Sequence, residues 1–368
     1  MKKQLSSLEL HFLVKELEIL KGSRIDKIYQ PEKNTIIFSF YKTNVGKKIL
    51  KIDIGKYLAL AEEKEAGDTL GFGMLLRKHL DGFFIFDIEQ VKPERIAKFS
   101  FKAKDDVKYL YVEFFGKGNA ILCDEHNVII NALEHHEFRE RVVKPRLKYV
   151  YPVMGCNVFD LDNQKLKNMF QESKKDSVIV SLATELGLGG LYSEEICLSA
   201  SFDKNKNPKN ADDKDVGSVV SSIKKILGRN IGAKVIFKES KPIDVMPFEI
   251  EFYKNYESRP FETFSKALNY FYSQFEEVKE SAYDKKIKEL TRIIEQQENA
   301  IKELKKEELE LREKGEMIYH KYTLIKEVLD ELNKASKKHS WKEIKEKLKD
   351  HKMIKEINEK EKKVVVEV

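Results

Sequence analysis

The sequence predicts an α+β protein in which a mixed amino-terminal domain is followed by a helix-hairpin-helix region and an α-helical coiled-coil arm. Short segments that alternate between polar and apolar residues, as half-buried strands do, fill most of the first 155 residues. Two short helical segments joined by glycines come next, and the carboxyl-terminal part carries Lys and Glu with helical spacing. These observations divide the chain into regions 1–155, 156–230, 231–260 and 261–368.

The first helix is predicted by a capping box, Ser6-Ser7-Leu8-Glu9, in which Ser6 caps the first helical amides and Glu9 reaches back to the Ser6 amide. Leucines follow with helical spacing as far as Leu20, and Gly22 ends the helix. Strand-like alternation then occurs on both sides of a second helix at Gly73–Leu80, which indicates a meandering antiparallel sheet. Its segments are Arg24–Gln30, Thr35–Tyr41, Lys48–Ile54, Tyr57–Ala61, Phe83–Gln90, Arg95–Lys102, Tyr109–Phe115, Asn119–Asp124 and Val128–Ala132.

The helix-hairpin-helix is predicted from Gly187-Leu188-Gly189-Gly190, which joins two short helical segments. Glycines let the backbone approach a phosphate while the next helix presents free amides to it. A plain corner between two helices that needs a left-handed residue explains the same pattern equally well.

The remaining regions are connecting strands and the arm. Val235–Phe237 and Phe248–Tyr253 are interpreted as two late strands that pack on the head, and Pro260 marks the start of the arm. A stripe with a/d heptad spacing needs one partner helix, supplied by an upstream part of the same arm or by another chain. The stripe consists of Ile287, Leu290, Ile294, Ile301, Leu304, Leu311 and Ile318.

Composition excludes several classes of protein. The net charge is +6, and residues 1–152 hold 27 Lys and Arg against 22 Asp and Glu, so the head is mildly basic and compatible with a polyanion such as RNA. Three cysteines without CxxC spacing argue against a disulfide framework, and His135-His136 lacks a second ligand pair, so we expect no metal. The sequence contains no signal-peptide core and no apolar run of membrane length, which predicts a cytoplasmic protein without a membrane partner.

The sequence contains no pattern of a catalytic site. Gly116-Lys117-Gly118 is a turn that is not followed by a helix, so it is not a phosphate-binding loop. A nucleophile elbow and an HExxH motif are absent as well. We therefore expect no catalytic residues, no cofactor and no enzymatic activity.

Three charged groups are candidate nucleic-acid contacts, and each also has a plainer explanation. Glu94 and Arg95 follow a proline, where a charged pair most often marks the exposed start of a strand. Arg77 and Lys78 lie on the polar side of the second helix, which a solvated face also explains. The densest basic segment is either an RNA-contacting edge or a loop solubilised by charge, and consists of Arg139, Arg141, Lys144, Arg146 and Lys148 with Tyr149 and Tyr151 interleaved.

Several stretches, in their order along the chain, resemble those of the NFACT family. They are LEILKGSRIDKIYQP from Leu17, FGMLLRKHLDG from Phe72, QVKPERIAKF from Gln90, GKGNAILCDEHNVIINAL from Gly116 and LGLGGLYSEEIC from Leu186, with KGEMIYHKY and HSWKEI in the arm. The resemblance covers nearly the whole chain. The chain is similar to the RqcH/NEMF group of that family, in an archaeal form.

The resemblance implies a fold and a function. The family's amino-terminal domain resembles that of formamidopyrimidine-DNA glycosylases. Its members are factors of ribosome-associated quality control, which bind a large ribosomal subunit obstructed by a peptidyl-tRNA. They hold tRNA there and promote template-free extension of the stalled chain, with alanine in the archaeal case. Elongation of this kind uses the chemistry of the ribosome, which agrees with the expectation of no catalytic group.

The resemblance also assigns residues. Glu9, Glu94 and Arg95 match positions tied to tailing, where the family usually carries Asp at the first two. The extra methylene of Glu moves each carboxylate, and the capping box alone explains Glu9 as a structural residue. Family members continue past the point matching Val368 into returning coiled-coil helices and an NFACT-R domain. A separately encoded chain with those parts is therefore a candidate partner, with deletion or loss as the alternatives.

Competing functions predict different residues. A DNA glycosylase with a similar head would use an amino-terminal Pro-Glu and usually a four-cysteine zinc finger, whereas this chain has Met1-Lys2-Lys3 and three scattered cysteines. Some relatives are described as fibronectin-binding, but the lack of an export signal argues against adhesion as the primary role. An adaptor that binds RNA and the ribosome without supporting tailing is the alternative nearest to the main hypothesis.

Overall fold

The computed structural model describes residues 2–62, 69–138, 141–152, 155–275, 282–349, 353–358, 361 and 363–367. Its contacts divide the chain into two compact units, 1–276 and 277–368. The first unit is an α+β structure with a large antiparallel sheet, and the second is mainly helical.

Helix α1 spans Ser7–Leu17, and a single 3-10 turn, Glu18–Leu20, continues it. The predicted capping box is confirmed, because the Ser6 side chain accepts from the Glu9 amide and the Glu9 carboxylate accepts from the Ser6 amide. The leucines predicted to face inward are fully buried, since helical spacing places them on one stripe of α1: Leu10, Leu13, Leu17 and Leu20.

Nine strands form one antiparallel sheet in the order β4-β3-β2-β1-β5-β6-β7-β8-β9. Strands that follow each other in sequence are joined by short turns, as the alternating segments predict, except that helix α2, Gly71–Leu80, lies between β4 and β5 and the chain returns to pair β5 with β1. The strands are β1 Arg24–Glu32, β2 Thr35–Lys42, β3 Gly46–Asp53, β4 Tyr57–Ala61, β5 Phe84–Gln90, β6 Ile96–Ala103, β7 Asp106–Glu113, β8 Asn119–Asp124 and β9 Ile129–Ala132.

Aromatic and aliphatic side chains on the inner face of this sheet make the main core. Phe38 lies 5.7 Å from Phe40 and 6.0 Å from Phe101, ring centroid to centroid, in stacked arrangements. All three rings are at most 1% exposed. After β9 come a short ladder, β10 His136–Glu137 and β11 Val142–Val143, and a separate small cluster around Tyr111 and Tyr149.

Four helices follow and form a second core with α1. They are α3 Asn163–Glu172, α4 Val178–Thr184, α5 Gly189–Ala200 and α6 Asp213–Leu227. Leu8 and Phe12 of α1 belong to this cluster, whereas the other buried leucines of α1 belong to the sheet core. Helix α1 therefore lies between the sheet and the helical region.

The connecting region differs from its prediction in one segment. Strands β12 Lys234–Lys238, β13 Lys241–Met246 and β14 Glu257–Pro260 form a sheet in the order β13-β12-β14, so Val235–Phe237 lies in a strand as predicted. The prediction of a strand at Phe248–Tyr253 is wrong, because Glu251–Tyr253 forms a 3-10 turn. Phe248 and Ile250 are buried by packing on the helical region.

The arm begins later than the predicted residue 261. Helix α7, Phe264–Ser273, packs on the sheet core through Phe264, Leu268 and Phe271, which are fully buried. Tyr272 stacks on Tyr57 of β4 with 4.2 Å between ring centroids. This helix belongs to the first unit because its amphipathic face completes the core. The contact is long-range, and the composition of α7 is similar to that of the arm, so the sequence did not indicate it.

The second unit contains a long helix and a small folded tip. Helix α8 spans Ala282–His320 and is followed by α9 Tyr322–Ser336, α10 Trp341–Lys347 and the hairpin of β15 Ile354–Asn358 with β16 Lys363–Val366. The heptad stripe is exposed by 45–64% along α8 in the described residues, so its pairing with another helix stays a prediction. A compact cluster at the tip consists of Val328, Leu332, Ile344, Ile354 and Ile357.

Candidate functional site

Glu94 and Arg95 lie in the tight turn that joins β5 to β6. The turn is closed by the Val91 amide, which donates to the Ile96 carbonyl at 2.9 Å, and by the Glu94 amide, which donates to the Val91 carbonyl at 2.8 Å. Its Lys92–Pro93 peptide bond is cis. Both charged side chains are half-buried, so the pair is not the fully solvated start of a strand.

The start of helix α1 holds this turn in place. The Ser7 hydroxyl donates to the Pro93 carbonyl at 2.5 Å. The buried Gln90 amide donates at 3.0 Å both to the Ser7 carbonyl and to the Glu94 carbonyl. Side chains on both elements thus satisfy backbone carbonyls on the other side, which fixes the direction in which Glu94 and Arg95 project.

Arg95 is anchored through only one of its donors. Its Nη1 donates to Gln4 Oε1 at 3.2 Å, and Gln4 Nε2 in turn donates to the Gly116 carbonyl at 2.7 Å. No other hydrogen bond of the Arg95 guanidinium is made within the described residues, so the rest of its donor fork remains available to a ligand.

Burial and charge act in opposite directions on this pair. Burial lowers the pKa of the Arg95 guanidinium, while the Glu94 and Glu9 carboxylates favour its charged form. Burial likewise raises the pKa of the Glu94 carboxyl, against the effect of Arg95 and Arg141. Partial desolvation strengthens the interaction of the Arg95 guanidinium with an incoming anion relative to bulk water, while the Glu94 carboxylate opposes the anion and favours a ligand group that donates a hydrogen bond.

Glu9 lies beneath the turn, and every contact of its carboxylate is internal. It accepts from Lys2 Nζ at 2.5 Å, from the Ser6 amide at 2.8 Å and from the Tyr192 hydroxyl at 3.0 Å. Glu9 is only 1% exposed. Its carboxylate therefore holds the amino-terminal segment and helix α5 together, and its effect on a ligand would act through its charge and these partners.

Lys2 extends this network to β13. Its ammonium lies 3.1 Å from Asp244 Oδ1 and donates to the Val245 carbonyl at 2.7 Å. Burial alone lowers the pKa of the Lys2 amine, but the Glu9 and Asp244 carboxylates outweigh it, so the pKa is raised. The network joins the first residues of the chain, α1, α5 and β13, and no pattern in the sequence indicated Lys2, Tyr192 or Asp244.

Arg77 and Lys78 are both exposed on α2, and Arg77 also makes contacts within the chain. Arg77 Nε donates to the Ile28 carbonyl and Nη2 to Thr69 Oγ1, each at 2.5 Å, and the guanidinium lies 5.2 Å from the centroid of the Tyr29 ring. The contacts with Ile28 and Tyr29 attach α2 to β1. A nucleic-acid contact by either residue stays a prediction.

The basic segment after β9 does not form one exposed edge. Arg141 is buried in a bidentate pair with Glu113, with Nη1 and Nη2 at 2.7 and 2.9 Å from the two carboxylate oxygens, and Tyr149 donates to the same carboxylate at 2.8 Å. The planar guanidinium of Arg141 therefore binds a carboxylate inside the protein and does not face RNA. Lys144 is paired with Glu137, Arg146 is exposed, and Arg139 lies outside the described residues.

The glycines of the predicted hairpin join α4 to α5. Gly187 and Gly189 have φ of +66° and +73°, the left-handed region, and no heavy atom lies within 4 Å of where a Cβ would be at either of them or at Gly190. Leu188 is buried between them and anchors the loop. The backbone at this corner is thus open to a close approach, as a helix-hairpin-helix requires, while a plain corner needs only the left-handed residues.

The described residues contain neither a candidate metal site nor a helix of membrane-spanning character. No group of three or more His, Cys, Asp and Glu that could hold a metal ion occurs in that part of the chain. None of the helices there is long and apolar enough to cross a membrane.

A solved structure of similar fold supports the α+β architecture. The crystal structure of the fibrinogen binding protein from Staphylococcus aureus matches with a TM-score of 0.62 at 21% identity, covering 73% of this chain and 98% of that one. The MutM (Fpg) protein from Thermus thermophilus matches with a TM-score of only 0.33 at 10% identity, over 61% of this chain and 74% of that one. The fold is thus shared with the Staphylococcus aureus protein despite the low sequence identity.

The chain belongs to the family described as NFACT N-terminal and middle domains, whose model matches residues 6–365. The archaeal Rqc2 homolog aRqcH of Methanocaldococcus jannaschii is 27% identical to it over 98% of this chain and 57% of that protein. The Rqc2 homolog RqcH of Bacillus subtilis is 34% identical over 48% of this chain and 34% of that protein. The chain therefore spans between about a third and somewhat more than half of the length of these two relatives.

Proposed function

We propose that this chain is a ribosome-associated quality control factor of the cytoplasm. It would bind the obstructed large ribosomal subunit together with tRNA, and support template-free, alanine-containing extension of the stalled chain at its carboxyl end. Family membership over residues 6–365 and relatives named as Rqc2 homologs support this role. The reaction itself would belong to the ribosome and to the ester bond of charged tRNA, so the chain would not be an enzyme.

The observation that carries the tRNA-binding part is the half-buried Glu94-Arg95 turn fixed on α1. Arg95 keeps most of its donor fork free while Gln4 holds the guanidinium in place. Such a fork can grip a phosphate, or the edge of a base, in two places, and the adjacent Glu94 can accept from a base amino group. A fixed turn loses less conformational entropy on binding than a flexible one.

Sedimentation after induced stalling tests the proposal. The whole chain is expected to move with large subunits, and Arg95→Ala should reduce crosslinking to tRNA about tenfold, since a bidentate contact is worth roughly 1–3 kcal/mol. Lys254→Ala is the matched control, because Lys254 is an exposed cation far along the chain from the turn. A chain that stays in the soluble fraction, or an Arg95→Ala variant that crosslinks normally, would refute the proposal.

A non-tailing adaptor is the second candidate, and the exposed heptad stripe of α8 is the observation that favours considering it. A separately encoded chain could then supply the returning helices to the exposed stripe of α8. Mass spectrometry of a stalled reporter distinguishes the two roles. Added alanines that depend on Arg95 support tailing, whereas subunit binding without added residues supports the adaptor.

Adhesion is the third candidate, because a solved structure of similar fold is named as a fibrinogen binding protein. Surface labelling of intact cells would detect it. Nicking of a duplex with an oxidised base would likewise show a glycosylase activity.

A further inference from the structure

One end of the nine-stranded sheet carries a row of exposed side chains that the Glu94-Arg95 site does not use. The row crosses five strands, and each member is the direct register partner of the next. Tyr41 of β2 pairs with Lys47 of β3 and with Arg24 of β1, Arg24 pairs with Phe84 of β5, and Phe84 pairs with Lys102 of β6. Directly opposite residues of an antiparallel ladder point to the same face, so all five project together.

The members of this cross-strand row alternate in chemistry. From β3 to β6 the order is cation, aromatic, cation, aromatic, cation: Lys47, Tyr41, Arg24, Phe84, Lys102. Tyr41 is 57% exposed and Phe84 47%, and the three cations are exposed too. No acid occurs in the row.

The five side chains have no partners among the described residues. None of them makes a hydrogen bond, an ion pair or a ring contact there. The two acids closest on the same face have other partners, since Asp26 accepts from the Ser39 hydroxyl at 3.0 Å and Asp87 lies 3.0 Å from Lys21 Nζ. Exposed aromatic rings with unpaired cations between them contribute nothing to the sheet's own core, and their burial against a ligand would be favourable.

We propose that this row binds unpaired nucleotides of RNA. Bases stack on aromatic side chains whatever their identity, and cations set between the rings contact the phosphates that link stacked bases. Strands lie about 4.8 Å apart, so two strand spacings, roughly 10 Å, separate Tyr41 from Phe84 and leave room for a base on each ring. The exposed face of a sheet suits single strands, because the deep, narrow major groove of an RNA duplex hides its bases from such a surface.

The row is separate from the Glu94-Arg95 turn. Phe84 begins β5 and Gln90 ends it, so about 20 Å of strand, at ~3.4 Å per residue, lies between the row and the turn. The choice of RNA over DNA rests on the proposed function, whereas the choice of unpaired nucleotides rests on the sheet alone. RNA held by both sites would cross the face of the sheet along β5.

Fluorescence anisotropy of the whole chain with an unstructured 12-nucleotide RNA, a length of about one single-strand site, tests the proposal. Tyr41→Ala and Phe84→Ala should each weaken binding about fivefold or more, since loss of one base stack has that effect. Tyr41→Phe, which keeps a ring, should bind as the unchanged chain does. Phe252→Ala removes another exposed ring and serves as the matched control.

The salt dependence gives a second readout. Arg24→Ala and Lys102→Ala should each reduce the slope of log K against log salt by about 0.7, the value for one phosphate contact on a single strand. Lys238→Ala, an exposed cation of β12 outside the row, should leave the slope unchanged. Circular dichroism of each variant separates loss of binding from loss of folding.

Three results would overturn the proposal. The first is that the folded Tyr41→Ala and Phe84→Ala variants bind the RNA as tightly as the unchanged chain. The second is that an RNA duplex or polyglutamate competes as well as the unstructured RNA, and the third is that the chain prefers a DNA strand of the same sequence. Cosedimentation with large subunits is measured in parallel. If the row variants no longer bind the oligonucleotide but still cosediment with large subunits, the row is the source of the oligonucleotide binding. If the unchanged chain binds the oligonucleotide but does not cosediment, the ribosomal role is rejected and the RNA binding of the row remains.

Discussion

Glu9 shows how one residue can serve both as a helix cap and as the centre of a larger network. Its carboxylate caps α1 at the Ser6 amide and also accepts from Lys2 and Tyr192. The hydrogen bond from Tyr192 makes Glu9 part of the connection between α1 and α5.

We predict that Glu9→Gln lowers the free energy of unfolding by about 3–5 kcal/mol, because it leaves the Lys2 ammonium buried with one carboxylate fewer. Glu18→Gln is the matched control, since Glu18 pairs with Lys21 at the surface and should change stability by less than about 1 kcal/mol. Urea unfolding measures both. A variant Glu9→Gln that stays as stable as the unchanged chain but no longer binds tRNA would instead make Glu9 a direct contact.

His11 on the opposite side of α1 predicts a dependence of stability on pH. Burial beside Phe159, aided by the charges of Lys15 and Lys92, lowers the pKa of His11 to about 4 from an ordinary 6.5. Below pH 6.5 the unfolded chain takes up a proton that the folded chain refuses until about pH 4. The free energy of unfolding should therefore fall as pH decreases through this interval.

The variant His11→Asn cannot titrate and should show a shallower loss of stability between pH 6.5 and 4 than the unchanged chain. At pH 7 and above, the difference between the two proteins should no longer depend on pH. His126→Asn, which replaces an exposed histidine, is the control and should keep the full dependence. Identical pH profiles of the His11→Asn variant and the unchanged chain would show that the His11 ring accepts a proton freely in the folded protein.

At the scale of elements, substitutions of the glycines at the α4–α5 corner test backbone strain and access to the backbone separately. We predict that Gly187→Ala and Gly189→Ala each cost about 1–2 kcal/mol, because an alanine must adopt a left-handed conformation there. Gly190→Ala should be nearly neutral in stability, since Gly190 is the second residue of α5, has no positive φ, and its Cβ would meet no atom within 4 Å. Thermal unfolding measures all three.

RNA binding by the Gly190→Ala variant then distinguishes the two interpretations of this corner. If phosphates approach the backbone here, a methyl group at the start of α5 should weaken binding while leaving stability unchanged. If the loop is a plain corner between helices, binding should not change. Either result depends on a folded variant, which the stability measurement provides.

Local patterns predicted most elements, while the long-range contacts of the site were out of reach. The capping box and the sheet strands depend on residues a few positions apart, so their spacing was visible in the sequence. Tyr192 meets Glu9 across 183 residues, and Asp244 meets Lys2 across 242. The assignment of α7 to the arm failed for the same reason, since amphipathic spacing shows that a helix has an apolar face without showing what covers it.

At the scale of the whole molecule, the division into two units predicts that residues 1–276 fold without the arm. A fragment of residues 1–276 should unfold cooperatively at a temperature close to that of the same transition in the whole chain. A fragment ending at residue 260 lacks α7 and should be unstable, because deleting even one buried Phe costs about 3–5 kcal/mol and α7 contributes two. Calorimetry compares them. A cooperative transition in the shorter fragment would show that α7 is dispensable.

The late position of α7 has a consequence for the synthesis of this protein. The sheet is complete in sequence by Ala132, but Phe264 and Phe271 cover its core only after the ribosome has added more than a hundred further residues. At ~5–20 residues per second, the sheet waits roughly 7–28 s with part of its apolar surface uncovered. The nascent chain is therefore exposed to misfolding and proteolysis during that interval, and a ribosome that stalled there would display the kind of incomplete product that we propose the finished protein helps to clear.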